Sequence, residues 1–297
     1  MLLALATRSN LPDWEVDDRH LHAALDGLGL PFERPVWDDP AVDWARYDAV
    51  LLRTPWDYQD KLPAFMAWVR RVTDVTRLFN PAPVVAWNVH KHYLRDLERH
   101  GVPIAPTVWL DRGMRADVAA IVRARGWSAG FLKPCVGATA RETLRFRADA
   151  GGLATAQQHV DRLLPHEDLI LQPYLRSVET RGEWSAVFFD GRLSHCVRKV
   201  PVPGDYRVQD DYGASDGPYA PSAAELDLAH RAVAVLSDPH GPCPAGGVPL
   251  LYGRTDFLWQ DDGTCVLTEL EVVEPSLFFR HRPEAGLDLA RALLARF

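Results

Sequence analysis

The chain has 297 residues, 47% apolar and 25% charged, with a formal net charge of −7 and a pI near 5.9. This balance excludes disorder, coiled coil and a basic face for nucleic acid or an anionic membrane, and leaves an ordinary soluble globular protein. The four cysteines, Cys135, Cys196, Cys243 and Cys265, show neither a CxxC pair nor a short Cys/His cluster, so a reducing cytoplasm is expected, with no disulfide framework and no zinc site.

The first apolar run is too short for a signal segment or a membrane span and is expected to be a strand. Strands over residues 1–7, 32–37 and 47–53 accompany a helix over 17–29, where Leu21, Ala24, Leu25 and Leu28 recur at helical spacing. Further helices are expected over 62–72 and, closed by Gly101 and Pro103, over 89–100. Next come a strand over 107–110, a helix over 115–125, a strand over 129–134, a glycine-containing loop, a strand over 143–148, a helix over 152–164 and a strand over 169–175. Two Asp-Gly pairs, Asp190-Gly191 and Asp262-Gly263, sit between β-rich runs and predict hairpins. A polar loop over 202–221 and a helix over 222–236 separate them, and an amphipathic helix over 283–296 ends the series.

If Asp262-Gly263 is a two-residue loop, Asp256 faces Glu269 and Arg254 faces Glu271, all on one side, because same-face residues alternate along each strand. The other side then carries Thr255, Phe257, Trp259, Val266, Thr268 and Leu270, a core-like set. Three converging carboxylates without His or Cys form the oxygen-only donor set that suits magnesium. A solvated face with cross-strand ion pairs is the alternative, and a one-residue slip would undo the arrangement. The same rule at Asp190-Gly191 puts Glu183 opposite Arg198 and turns Lys199 to the other side with Trp184. Among 33 basic residues only Lys61, Lys91, Lys133 and Lys199 are lysine. Each has either survived by chance or marks a place that needs a compact point charge, such as a phosphate site.

In this order the pieces resemble the ATP-grasp superfamily over residues 75–280. The resemblance implies an α/β (α+β) ATP-grasp fold: an N-terminal β-α-β lobe over 1–88, then two α+β lobes over 89–175 and 176–297 that clamp ATP. It implies that Lys91 of WNVHKHYLRDL and Lys133 of FLKP bind phosphate with a loop carrying Gly137, Ala138 and Thr139. Gln172, Pro173, Tyr174 and Leu175 would form the adenine hinge, Glu183 would hold ribose, and Arg198 would lie beside the nucleotide. Asp256, Glu269 and Glu271 match the magnesium set, and Arg254, Lys199 and Arg207 would act on the transferring phosphoryl group.

The stretches ATRSNLPDWEVDDRHL, LLRTPWDYQDKLPAFMAWV, GEWSAVFFDGRLSHCVRKVPVPGD and LYGRTD…ELEVVEPSLFF are similar to a smaller ATP-grasp group that includes the O-ureido-D-serine cyclo-ligases and related ligases of unknown substrate. That likeness implies that ATP phosphorylates an amino-acid carboxylate, which a nitrogen of the same molecule then attacks, closing a ring. Thr7, Ser9, Asp17, Arg53, Trp56, Asp57, Tyr58, Glu274 and Ser276 are the substrate-side residues it suggests, although Asp17 could simply cap the helix it opens. An intermolecular carboxylate–amine ligase and a nucleotide-binding regulator without turnover stay open as alternatives. A closed homodimer is the base-rate expectation for a soluble enzyme.

Overall fold

The first sheet is built from β1 (Leu3–Thr7), β2 (Phe32–Glu33), β3 (Ala49–Thr54) and β4 (Arg77–Phe79), paired in parallel in the order β2-β1-β3-β4. In the computed structural model, which describes residues 1–11 and 17–297, every residue of β3 is buried, as expected for a parallel sheet covered on both faces. Alternation sorts the side chains. Leu3, Leu5 and Leu51 meet Leu21 and Leu25 of α1 (Arg19–Gly27), while Ala4, Ala6, Val50 and Leu52 meet Phe65, Trp68 and Val72 of α2 (Leu62–Val75). The stretch ATRSNLPDWEVDDRHL includes residues 12–16, which lie outside the described residues.

The helix expected over 89–100 is shorter, α4 (Tyr93–Arg99), and a separate helix that was not expected, α3 (Ala82–Asn88), precedes it. The break between them follows from tertiary bonding, because Lys91 N–H donates to Cys135 O at 2.8 Å rather than to a carbonyl one turn back. The start of α3 carries proline in its first turn, where a missing N–H is harmless.

The second sheet contains β5 (Val108–Leu110), β6 (Ala129–Pro134), β7 (Leu144–Arg147) and β8 (Leu169–Pro173), antiparallel in the order β5-β8-β6-β7. One face sends Leu132, Leu169 and Leu171 into a core with Val118 and Val122 of α5 (Val118–Arg125) and Ala156 and Val160 of α6 (Ala150–Leu163). The other face presents Phe131, Lys133 and Gln172 to a cavity. A short helix, α7 (Ser177–Thr180), leads to the third sheet.

That sheet comprises β9 (Glu183–Phe189), β10 (Arg192–Val200), β11 (Ser215–Pro218), β12 (Tyr252–Trp259) and β13 (Cys265–Glu271), antiparallel in the order β11-β10-β9-β12-β13. Trp184, Phe188, Phe257, Trp259 and Leu270 pack beneath it with α4 and with Leu228 and Ala232 of α8 (Ala223–Ala234). A capping box between Ser222 and Glu225 opens α8. The last helix, α9 (Ala285–Leu294), lies on α1, and Gly286 permits the approach: a Cβ there would sit 2.6 Å from His20 O. Among the described residues no helix is long and apolar enough to cross a membrane.

Both hairpins of this sheet carry a bulge. The Asp190-Gly191 turn is the expected two-residue loop, with both residues at positive φ. Ser194 then leaves the ladder and gives its carbonyl and hydroxyl to Arg282 at 2.9 and 2.7 Å. Beyond this bulge Lys199 pairs with Glu183 and Arg198 with Trp184, the reverse of the register expected from the turn. In the β12–β13 hairpin the loop is one residue longer than expected, since Gln260 N–H donates to Thr264 O at 2.9 Å. A bulge beside Thr268, whose hydroxyl donates to Asp256 O at 3.0 Å, takes the shift back. Asp256 therefore faces Glu269 and Arg254 faces Glu271, as expected. Nearer the turn the faces are exchanged: Leu267 joins the core under the sheet, Val266 meets Ala105 and Leu175, and Thr268 lines the cavity.

Candidate active site

The upper face of the third sheet is apolar at one end, where Val187, Phe189, Val197 and Tyr252 join the core with Leu3 and Leu5. At the other end it is charged. Arg254 grips Asp256 through Nε to Oδ1 and Nη2 to Oδ2, both 2.9 Å, and reaches Glu271 Oε1 at 2.5 Å and Ser276 O at 3.0 Å. Ser185 donates to Asp256, and Lys199 Nζ bonds Glu183 and lies 3.4 Å from Asp256 Oδ1. From across the cavity, Lys133 Nζ donates to Glu269 Oε1 at 2.8 Å. Lys91 Nζ stands 3.5 Å from the same oxygen and donates to Gly137 O at 3.0 Å.

Burial opposes charge on all these carboxylates, so their neighbours decide which stay ionised. Burial would raise Asp256, but Arg254 and Lys199 outweigh it and hold its carboxyl below the ordinary range. Lys133 and Lys91 likewise overcome burial at Glu269 and hold it well below that range. At Glu271 burial and the charges of Asp256 and Glu269 outweigh Arg254 and the weaker pull of Lys199, and its carboxyl is pushed up to about 7. Glu274 is pushed up to about 8 by burial and by Glu271. Carboxylate oxygens of Asp256, Glu269 and Glu271 lie within 4.8 Å of one another. An all-oxygen, mutually repelling set of this kind fits a hard divalent cation, and these are the residues that would hold magnesium.

The cavity between the second and third sheets has a volume of about 270 Å³. Gly137, Ala138, Thr139, Gln172, Pro173, Tyr174, Leu175, Glu183 and Lys199 line it, with the lysines and carboxylates above. Gln172 is fixed by donating to Thr107 Oγ1 at 2.8 Å. Phe131, Tyr174 and Tyr206 form an aromatic group, with Phe131 and Tyr206 centroids 5.3 Å apart. The loop after β6 and the loop after β10 are latched over the opening: Tyr206 and Thr143 hydroxyls are 2.9 Å apart, and Tyr212 OH donates to Thr139 O at 3.2 Å. Arg207 lines the cavity, but its guanidinium is folded onto Asp205, with Nε and Nη2 at 3.0 and 2.7 Å, and over the Tyr212 ring.

Arg198, expected beside the nucleotide, is exposed on the opposite face, over the Tyr219 ring. The Ser194 bulge is the physical reason. Of the substrate-side residues, Trp56, Tyr58, Glu274 and Ser276 line the cavity. Trp56 Nε1 donates to Glu274 O at 3.0 Å, and Ser276 Oγ is buried without a partner. Thr7, Ser9, Asp17, Arg53 and Asp57 do not line it. Their polar groups are engaged elsewhere: Thr7 takes the Thr54 hydroxyl, Asp17 binds Arg280, Arg53 binds Asp18, and Asp57 binds Trp37 and Lys61. Ser9 is exposed.

Sequence reasoning missed Phe131, Tyr206 and Arg141 on the cavity wall and, above all, Asn88. Asn88 Nδ2 donates to Leu270 O at 2.9 Å and its Oδ1 accepts from Val272 N at 3.0 Å, so it completes the free edge of β13 behind Glu271. Asn80 does the same for Leu251, Tyr252 and Val272. Neither residue shows a pattern in sequence beyond a polar residue beside an apolar run.

The fold that sets these lysines and carboxylates facing each other across two antiparallel sheets is shared with other ligases. D-alanine–D-alanine ligase from Bacillus anthracis, in a structure complexed with ATP, matches with a TM-score of 0.66 at 13% identity, over 99% of this chain and 96% of that one. That likeness shows a shared ligase fold. Residues 3–80 match the family described as the N-terminal domain of D-cycloserine synthetase DcsG. The chain is 34% identical to the cycloserine biosynthesis protein DcsG of Streptomyces lavendulae, over 99% of this chain and 98% of that protein. It matches the crystal structure of D-cycloserine synthetase DcsG with a TM-score of 0.87 at 31% identity, over 100% of this chain and 99% of that one. The chain belongs to the DcsG family of ATP-grasp ligases.

Proposed function

We propose that this enzyme, acting in the cytoplasm on a small amino-acid substrate, uses magnesium and ATP to activate the carboxylate of O-ureido-D-serine and close the ring of D-cycloserine. The observation that carries this reading is the likeness to DcsG along the whole length of both chains. Magnesium, when bound, neutralises phosphate charge. Lys91 and Lys133 supply ammonium donors to phosphate oxygens, and Arg254 holds Asp256 and Glu271 in place. Gln172 to Leu175 would meet adenine, and Glu183, oriented by Lys199, the ribose.

The substrate carboxylate attacks the γ-phosphorus and ADP leaves. The nitrogen of the aminooxy group then attacks the acyl carbon, expelling phosphate and closing the ring, and water removes the ureido carbon as carbon dioxide and ammonia. Attack within one molecule needs no second acceptor, because proximity replaces capture. Trp56, Tyr58, Glu274 and Ser276 on the cavity wall would form the substrate end.

Incubation with ATP, magnesium and O-ureido-D-serine alone tests the reading. ADP and D-cycloserine should form in equal amounts without an added amine. ADP release that depends on an added amine would move the assignment to an intermolecular carboxylate–amine ligase.

A further inference from the structure

Lys91 is flanked by two histidines, and the turn that carries all three lies against the end of β6. His90 and His92 have ring centroids 4.2 Å apart. A ring nitrogen of each and Cys135 Sγ all fall within 4.8 Å of one another. Cys135 is 1% exposed. Asp168 completes the surroundings: Oδ2 lies 3.0 Å from His90 Nε2, and its carbonyl accepts from Cys135 N at 2.8 Å. His92 Nε2 is buried with no hydrogen-bond partner, and the nearest ion-pair oxygen, Asp111 Oδ1, is 3.9 Å away. A buried ring nitrogen left unsatisfied is uncommon and asks for an explanation.

We propose that His90, His92 and Cys135 bind one zinc-type divalent cation, with Asp168 as the carboxylate that fixes the His90 ring. Two imidazoles and a thiolate make a borderline-soft donor set, which zinc and cobalt accept and magnesium does not. A carboxylate beside a ligating histidine is the usual support for such a site. The site is separate from the oxygen triad of Asp256, Glu269 and Glu271. Chain spacing gave no zinc signature because Cys135 is remote in sequence from the two histidines. Fold topology brings it to them through the same contact that breaks the helix at Lys91. A bound ion would tie the Lys91 turn to Cys135, two positions before the Gly137 carbonyl that Lys91 Nζ uses. Occupancy would therefore fix one phosphate-binding lysine against the phosphate loop.

The test is titration of the full chain with cobalt(II), followed by visible and near-ultraviolet absorption, with magnesium in excess. One equivalent should give tetrahedral d–d bands and a thiolate charge-transfer band. Cys135→Ser should lose the charge-transfer band, His92→Ala should weaken binding by at least about tenfold, and Glu269→Gln should keep both. Circular dichroism establishes that each variant is folded; if Cys135→Ser is not, His92→Ala carries the test. A folded wild-type protein without the thiolate band, or a band that survives Cys135→Ser or disappears in Glu269→Gln, would overturn the proposal.

Discussion

The two hairpins of the third sheet start from the same Asp-Gly signal and end differently. In the β12–β13 hairpin a longer loop and a bulge at Thr268 cancel, so Asp256, Glu269, Arg254 and Glu271 share the face that simple alternation assigns them. In the β9–β10 hairpin the turn is regular and the bulge at Ser194 stands alone, so the charge facing Glu183 is Lys199 and not Arg198. A bulge adds one residue to one strand and inverts every side chain beyond it. Register at a site is therefore set by the sum of irregularities between turn and site, and the turn by itself decides only the first few pairs.

Substitutions in the two hairpins are expected to differ accordingly. The largest effect is expected for Glu269→Gln, which removes the carboxylate that both Lys91 and Lys133 approach. ADP release should fall by about 10³-fold, with the thermal midpoint showing that the protein remains folded. Next is a matched pair in the other hairpin. Lys199→Met should lower kcat/KM for ATP by about 10²-fold, because it leaves Glu183 and Asp256 without their shared cation. Arg198→Met, on an exposed position, should stay within about twofold. The opposite ranking would mean that the Ser194 bulge is absent in solution. The smallest effect is expected for Thr268→Val, which deletes the hydroxyl bonded to Asp256 O. Urea unfolding should show a loss of about 1 kcal/mol, and a loss near zero would show that the bulge is held by other contacts.

Much of this architecture is legible in the chain because its causes are local. The apolar runs of β1 and β3, the two hairpins and the amphipathic α2 and α9 each carry their own period or turn. What could not be read depends on partners distant in sequence. Ser194 leaves its ladder for Arg282, the helix breaks at Lys91 for the Cys135 carbonyl, and Asn80 and Asn88 serve strand edges far along the chain. The oxygen triad was legible through two departures that offset each other, and Lys199 was misplaced through one that did not. In the first lobe, the likeness together with polar type at strand ends suggested Thr7, Arg53 and Asp57 as substrate contacts, and partners already present explain why they lie off the cavity wall.

In the proposed function the lysines and carboxylates meeting in this cavity direct ATP onto a substrate carboxylate. O-ureido-D-serine labelled with ¹⁸O in both carboxylate oxygens tests it most directly, with mass analysis of the inorganic phosphate after turnover. One ¹⁸O atom in each phosphate formed, with the other retained in the ring carbonyl, is the predicted result. Unlabelled phosphate accompanying ring closure would contradict it.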